Sequence, residues 1–205
     1  MTSWDDRYRR GEYPEDPDPS PVLRHYVDAF PEGPALDVAT GTGRNALFLA
    51  AAGYTVDAID RSRVGLQQAE AAAAERGLND RVNWIQADVG SYGFHRERYA
   101  AVTISYYRAI DRLTDLKEAL VPGGYLFVEH HLRSTQPTPS GPSTDRYRFG
   151  ANELLHACLD LTVVFYDEST TSNAEGERRA NVRVLARKSS GPRQAYPERY
   201  EHVPD

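Results

Sequence analysis

Ala35-Leu36-Asp37-Val38-Ala39-Thr40-Gly41-Thr42-Gly43-Arg44-Asn45 is the stretch on which the fold of this chain turns. A short apolar run carrying one acid, Asp37, meets two glycines, Gly41 and Gly43. Ala46-Leu47-Phe48-Leu49-Ala50-Ala51-Ala52 follows, dense enough in apolar side chains to predict a buried helix face. The order is strand, glycine-rich turn, helix. Glycine lacks a Cβ and tolerates dihedrals that other residues avoid, so such a turn lets a ligand approach bare backbone. The helix start behind it offers unpaired N–H groups. In a doubly wound sheet, a turn of this kind at the carboxyl end of the first strand is the usual seat of a nucleotide-like ligand.

The same letters allow two ligands. Gly41, Gly43 and Ala46 fit the Gly-x-Gly-x-x-Gly/Ala spacing of a dinucleotide fold, with Asp60 later as the ribose acid, which would make the chain an NAD(P)-dependent oxidoreductase. Asp37 argues the other way. A carboxylate four residues before Gly41 repels a pyrophosphate and favours a cation. S-adenosylmethionine (SAM) carries a sulfonium and an ammonium and no phosphate. Asp37 to Gly43 resembles the first motif of class I SAM-dependent methyltransferases, an acid followed by glycines at alternate positions. Ala39 stands where that family usually has its first glycine, which leaves slightly less room at the turn. The resemblance implies cofactor contacts from Asp37, Ala39, Thr40, Gly41, Gly43 and Asn45.

Gly53 ends the first buried helix, and Tyr54 to Asp60 reads as the second strand. Asp60 falls at its carboxyl end, where a carboxylate can accept both ribose hydroxyls; as a plain structural residue it would cap the helix that opens at Arg61-Ser62. Ser62 to Arg76 is an alanine-rich helix stopped by Gly77. Arg81 to Asp88 reads as the third strand. The resemblance implies that Asp88 takes the adenine amino group while Val89 packs on the ring; without a ligand, Asp88 is an Asx-turn residue before Gly90. Arg61 and Ser105 join the implied cofactor set. Tyr99 to Ser105, small and β-branched, is the fourth strand. Asp111 to Leu120 is a short helix, and Pro122-Gly123-Gly124 turns into a fifth strand, Tyr125 to His131.

The acceptor side is expected around Tyr106, Tyr107, Arg108 and His131. Tyr107, Arg108 and His131 are the candidates for catalysis, and Tyr106 is a substrate contact. His130 and His131 point to opposite faces of a strand and cannot grip one ion, so no metal site is expected. Residues 133–148, rich in Ser, Thr, Pro and Gly, form a loop of the length that functional lids have. Arg133, Arg146 and Arg148 around it are candidates to receive an anionic substrate. Asn152 is expected to cap a helix over 150–159 whose Cys158 is a buried small hydrophobe. Leu161 to Tyr166 and Ala180 to Ala186, around a polar turn at Thr171 to Gly176, predict an antiparallel hairpin closing the sheet. The whole reads as an α/β, Rossmann-like doubly wound sheet, mostly parallel, with a C-terminal antiparallel hairpin strand.

Residues 1–21 are expected as an arm or lid, 22–188 as the domain, and 189–205 as an unpacked tail. Prolines 14, 17, 19 and 21 forbid a long helix in the arm, whereas Pro21 to Phe30 reads as a helix with Ser20 as N-cap. Trp4-Asp5-x-Arg7-Tyr8 followed by Gly11-Glu12-Tyr13 is similar to the N-terminus of the tellurite-resistance and thiol methyltransferase group. That resemblance implies an arm covering the cofactor, with Tyr8 and Tyr13 beside it, and a thiol or chalcogen oxyanion as acceptor.

The 205 residues, 40% hydrophobic and 26% charged, suit one globular domain. No apolar run reaches the roughly 20 residues of a membrane span. A formal charge of −6 disfavours nucleic acid, and one cysteine excludes an internal disulfide and fits a cytoplasmic location. The expected partner is a small molecule; the chain reads equally as a monomer or a homodimer, and a non-catalytic SAM-binding protein is the other alternative.

Overall fold

Residues 3–13, 18–136, 138, 141–172 and 178–201 are described by the computed structural model. Seven strands form one sheet: β1 (Ala35–Val38), β2 (Val56–Asp60), β3 (Val82–Gln86), β4 (Tyr99–Ser105), β5 (Leu120–His131), β6 (Thr162–Ser172) and β7 (Arg178–Arg187). Their order is β3-β2-β1-β4-β5-β7-β6. The first five pair in parallel, and β7 enters antiparallel between β5 and β6. Chain direction reverses its lateral progress between β1 and β4, which opens a crevice beyond their carboxyl ends.

Helices cover both faces. α1 (Trp4–Arg9), α2 (Pro21–Tyr26), α3 (Arg44–Ala51), α4 (Arg63–Glu75), α5 (Leu113–Ala119) and α6 (Glu153–Ala157) supply them. Alternation along the strands sorts the core into two layers. Ala35, Ala58, Ala101, Phe127 and Leu185 pack toward α2 and α3, whereas Leu36, Ile59, Val102, Val128 and Val184 pack toward α5 and α6. On the α3 side that apolar layer gives way, near the carboxyl ends, to Asp37, Thr103, Glu129, His131, Asn181 and Arg183, all buried or half-buried. The site lies there.

Several local expectations are corrected. The arm holds no long helix among its described residues but does hold a short one, α1, started by a capping box in which Ser3 Oγ and the Asp6 carboxylate bond reciprocally with each other's backbone N–H. Ser20 and Asn152 occupy the expected cap positions of α2 and α6, but neither side chain caps; Asn152 Oδ1 instead accepts from the Tyr166 hydroxyl at 3.3 Å. Pro122-Gly123-Gly124 lies inside a longer β5, at a register shift opposite Tyr99–Ala101, with Gly123 at φ 83°. The tail, as far as residue 201, is anchored rather than unpacked: Tyr200 N–H donates to the Tyr26 hydroxyl at 2.8 Å, and its ring meets Phe165 and His25 edge-on. The expected hairpin turn lies largely outside the described residues, as do Pro14, Pro17, Pro137 and Pro139. Among the described residues no helix is long and apolar enough to cross a membrane.

Candidate functional site

β1 ends at Val38, and the chain enters the crevice through three left-handed residues, Ala39 (φ 55°), Gly41 (φ 56°) and Gly43 (φ 90°). Ala39 thus adopts the backbone conformation that glycine takes without strain. Asp37 is only 1% exposed and does not face a ligand directly. Its carboxylate accepts from Thr40 Oγ1 (2.6 Å), Thr103 Oγ1 (2.7 Å), Asn45 Nδ2 (3.4 Å) and the Ala46 N–H (3.2 Å). It is the peg around which the turn is wound. Burial pushes its pKa up to about 6, against those bonds. Asn45 is fixed by Ser105 Oγ at 3.0 Å, and its buried carbonyl Oδ1 has no partner among the described residues.

Asp60 receives the Gly41 N–H on Oδ2 at 2.8 Å and the Ser62 N–H on Oδ1 at 2.7 Å. It joins the end of β2 to the glycine turn, and its carboxylate keeps acceptor capacity beyond these bonds. Burial raises its pKa. The cap of α4 is Ser62, which accepts the Gly65 N–H at 3.1 Å, so Asp60 is not the helix cap. Asp88 is exposed and closes an Asx-turn on Gly90 N–H at 2.9 Å, leaving its other oxygen uncommitted. Val89 is buried in the α5-side core, and the Arg61 side chain is exposed.

The arm lies on this turn. Tyr8 is buried in a slot between two glycines: a Cβ on Gly41 would stand 2.6 Å from its hydroxyl, and one on Gly65 would stand 3.0 Å from its ring. Asp5 accepts from Ser62 Oγ (2.5 Å) and the Val64 N–H (3.2 Å), placing a carboxylate on the first turn of α4. Tyr13 and Trp4 stack outside Tyr8, with the Arg7 guanidinium over both.

The expected acceptor residues separate. Tyr106 and His131 meet, their ring centroids 4.8 Å apart. Tyr107 goes elsewhere; burial raises its pKa, and Asp88 contributes in the same direction from the β3 end of the crevice. Arg108 is turned away, paired with Glu153 and lying over the Phe149 ring. His131 Nδ1 pairs with Asn181 Oδ1 at 3.1 Å, a contact that suits a proton on Nδ1. Burial, helped by the Arg148 charge, pushes the His131 pKa down to about 4. His130 faces the other layer, edge-on to Phe149.

The three loop arginines do not converge as an anion site. Arg148 is buried and holds the loop through Pro142 O (3.0 Å), Leu132 O (3.2 Å) and Thr138 Oγ1 (3.2 Å). Arg133 donates to Asp145 O, and Arg146 bonds the neighbouring Tyr147 hydroxyl at the surface. The loop does reach the site, because a Cβ on Gly141 would lie 2.6 Å from the His131 ring. Sequence reasoning missed Thr103, Arg44, Glu129 and Arg183. Of these only Arg44, next to Gly43, carried a local signal.

Residues 35–124, from β1 through the bulge in β5, match the family model of a methyltransferase domain. An uncharacterized methyltransferase of Bacillus subtilis, YodH, is 29% identical over 112 residues, 52% of this chain and 47% of YodH. TehB from Haemophilus influenzae superposes with a TM-score of 0.68 at 21% identity, covering 82% of this chain and 61% of TehB. A second structure, described as the conversion of a disulfide bond into a thioacetal group during echinomycin biosynthesis, gives a TM-score of 0.64 at 24% identity over 90% of both chains. The domain's fold is that of the SAM-dependent methyltransferases. The chain spans about half the length of the curated relatives it matches.

Proposed function

We propose that the protein is a SAM-dependent methyltransferase acting on a small-molecule acceptor, with a thiol or a chalcogen oxyanion such as tellurite or selenite as the favoured class. One observation carries the cofactor reading: the glycine turn is framed by acceptors, Asp60 and the unpartnered Asn45 Oδ1, and underlain by Asp37. The adjacent cation, Arg44, is turned to Glu129. Such a lining suits a hydroxylated cation and opposes a pyrophosphate. Asp60 would hold the ribose, Asp88 the adenine edge and Asn45 Oδ1 a donor on the amino-acid portion, while Tyr8 covers the turn. When bound, SAM supplies an electrophilic methyl carbon on a sulfonium. The chain's part is to align the acceptor and exclude water.

The acceptor class follows from basicity. At neutral pH, His131, with its pKa near 4, is a poor base for a hydroxyl or an ammonium. Burial raises the Tyr106 pKa, so its phenol stays protonated. A nucleophile that ionises by itself needs neither. The resemblance of the arm to the tellurite-resistance and thiol group points the same way, and a cytoplasmic location belongs to this reading.

Calorimetry with SAM, S-adenosylhomocysteine and NADH tests the cofactor; binding of NADH in place of the adenosyl-sulfur compounds refutes it. A radiolabelled methyl screen over small thiols, selenite and tellurite tests the acceptor. Binding without turnover on any of them would identify a non-catalytic SAM protein.

A further inference from the structure

Across the crevice from the acids around the glycine turn, the charge changes sign. On the face turned toward α3, β7 presents Arg179, Asn181 and Arg183 at alternate positions, and β5 presents His131 opposite Asn181 and Glu129 opposite Arg183. Glu129 is buried and divides its oxygens between two arginines. Arg183 Nε donates to Oε1 at 3.0 Å, and Arg44 Nη1 stands 3.3 Å from Oε2. Arg44 arrives from the first residue of α3, directly behind the turn. Arg183 spends Nη1 on Asp167 at 3.2 Å, and its Nη2 takes no hydrogen bond among the described residues. Arg44 Nε donates to Asp18 O at 2.6 Å, and 22% of the Arg44 and 19% of the Arg183 side-chain surface remain exposed.

Tyr106 stands over the group. Its ring lies 5.6 Å from the Arg44 guanidinium carbon, and its N–H is held by the Glu129 carbonyl at 2.8 Å. Its backbone is left-handed, φ 58°, an outlier for a bulky residue and of the kind that surrounding contacts must hold in place. A single buried carboxylate therefore serves two forked cations beside the reacting end of the crevice. Arg148 and Arg179 add positive charge around His131. A guanidinium fork with free N–H groups matches a carboxylate or similar oxyanion.

We propose that Arg183 and Arg44, seated on Glu129 beneath Tyr106, receive an anionic group of the acceptor, so that the substrate is a small thiol carrying a carboxylate or comparable anion a few bonds from its sulfur. This rests on the methyl-transfer reading above. The thiol loses its proton to water; its sulfur lone pair forms the new bond to the methyl carbon as the carbon–sulfonium bond breaks and returns its electron pair to the departing sulfur. The arginines touch only the anionic group and set where the thiolate points.

The test offers the native protein, with SAM, three thiols of similar size at equal thiolate concentration: 3-mercaptopropionate, 2-mercaptoethanol and cysteamine. The expected kcat/KM is about tenfold higher for the anionic than for the neutral thiol, expressed mainly in KM, with cysteamine poorest. Arg183→Gln collapses that ratio toward one, while SAM affinity, read by calorimetry, stays within about twofold as the check on folding. Because Arg183→Gln strips Glu129 of a partner, the double variant Glu129→Gln/Arg183→Gln, which keeps a neutral amide pair, is run beside it and also loses the ratio. A native ratio near one, a preference for cysteamine, or a ratio that survives both changes overturns the proposal. SAM binding with none of the three thiols methylated overturns it too and leaves the cofactor reading standing; failure of the native protein to bind SAM removes the proposed function instead.

Discussion

Ala39 holds a left-handed backbone at the mouth of the site, φ 55°, with a Cβ that disfavours it. Relieving that conformation is worth about 1–2 kcal/mol, offset by the greater freedom glycine has in the unfolded chain, about 0.4–1 kcal/mol. Ala39→Gly is therefore expected to raise the melting temperature by roughly 2–4 °C in a chain of this size; a scanning calorimeter showing no rise would mean the strain is relaxed elsewhere. Asp60 and Arg148 divide at the same scale. The first faces the turn and the second holds a loop. Asp60→Ala should weaken SAM binding by about tenfold or more, and Arg148→Ala by much less; equal losses in a titration would contradict that division.

The element most exposed to perturbation is α1. Six residues cannot sustain a helix alone, so α1 depends on Asp5 at the start of α4 and on Tyr8 between Gly41 and Gly65. Asp5→Ala removes the first of these anchors. It should quicken tryptic cleavage at Arg9-Arg10 several-fold with little change in global melting, because local opening is governed by local contacts. Cleavage at the native rate would show that Tyr8 alone secures the helix. Strands and helices were largely legible at this level. The glycine turn, Asp60 and Asp88 follow from short-range spacing, and alternation along β4 and β5 is local. The capping box of α1 is also local, in Ser3 and Asp6, but a helix of six residues is too short to show a period. What could not be read were the partners. Asp37 meets Thr103 66 residues on, and Glu129 meets Arg183 54 residues on. Only strand pairing, not spacing, puts them in contact. The loop arginines cluster in sequence and so resemble an anion site there, whereas the buried one serves backbone carbonyls instead.

The whole molecule responds to pH through groups it buries. His130 and His131 are both held down to about 4 by burial, from an ordinary 6.5. Between those values the unfolded chain binds their protons and the folded chain does not, so stability falls as pH drops from 6.5 toward 4. Asp37, raised from 3.8 to about 6, acts in the opposite direction: the folded chain takes up that proton first and gains stability as pH falls through the same range. Each group is worth on the order of 3 kcal/mol at its limit. Asp60, whose pKa burial also raises, acts with Asp37; the two histidines together are expected to prevail, so the melting temperature should decline on acidification from pH 7 to pH 4.5. His130→Gln should flatten the decline; a curve that rises instead would mean Asp37 dominates.

The crevice has one wall of oxygen acceptors and another of guanidinium groups. A sulfonium on one side and an anionic acceptor on the other match it. Under the proposed methyl transfer the sulfonium loses its charge beside the acids, whereas the acceptor's anionic group keeps its partners on the guanidinium wall. One hold is thereby weakened and the other spared, so the adenosyl product is the one that the charge pattern ceases to favour.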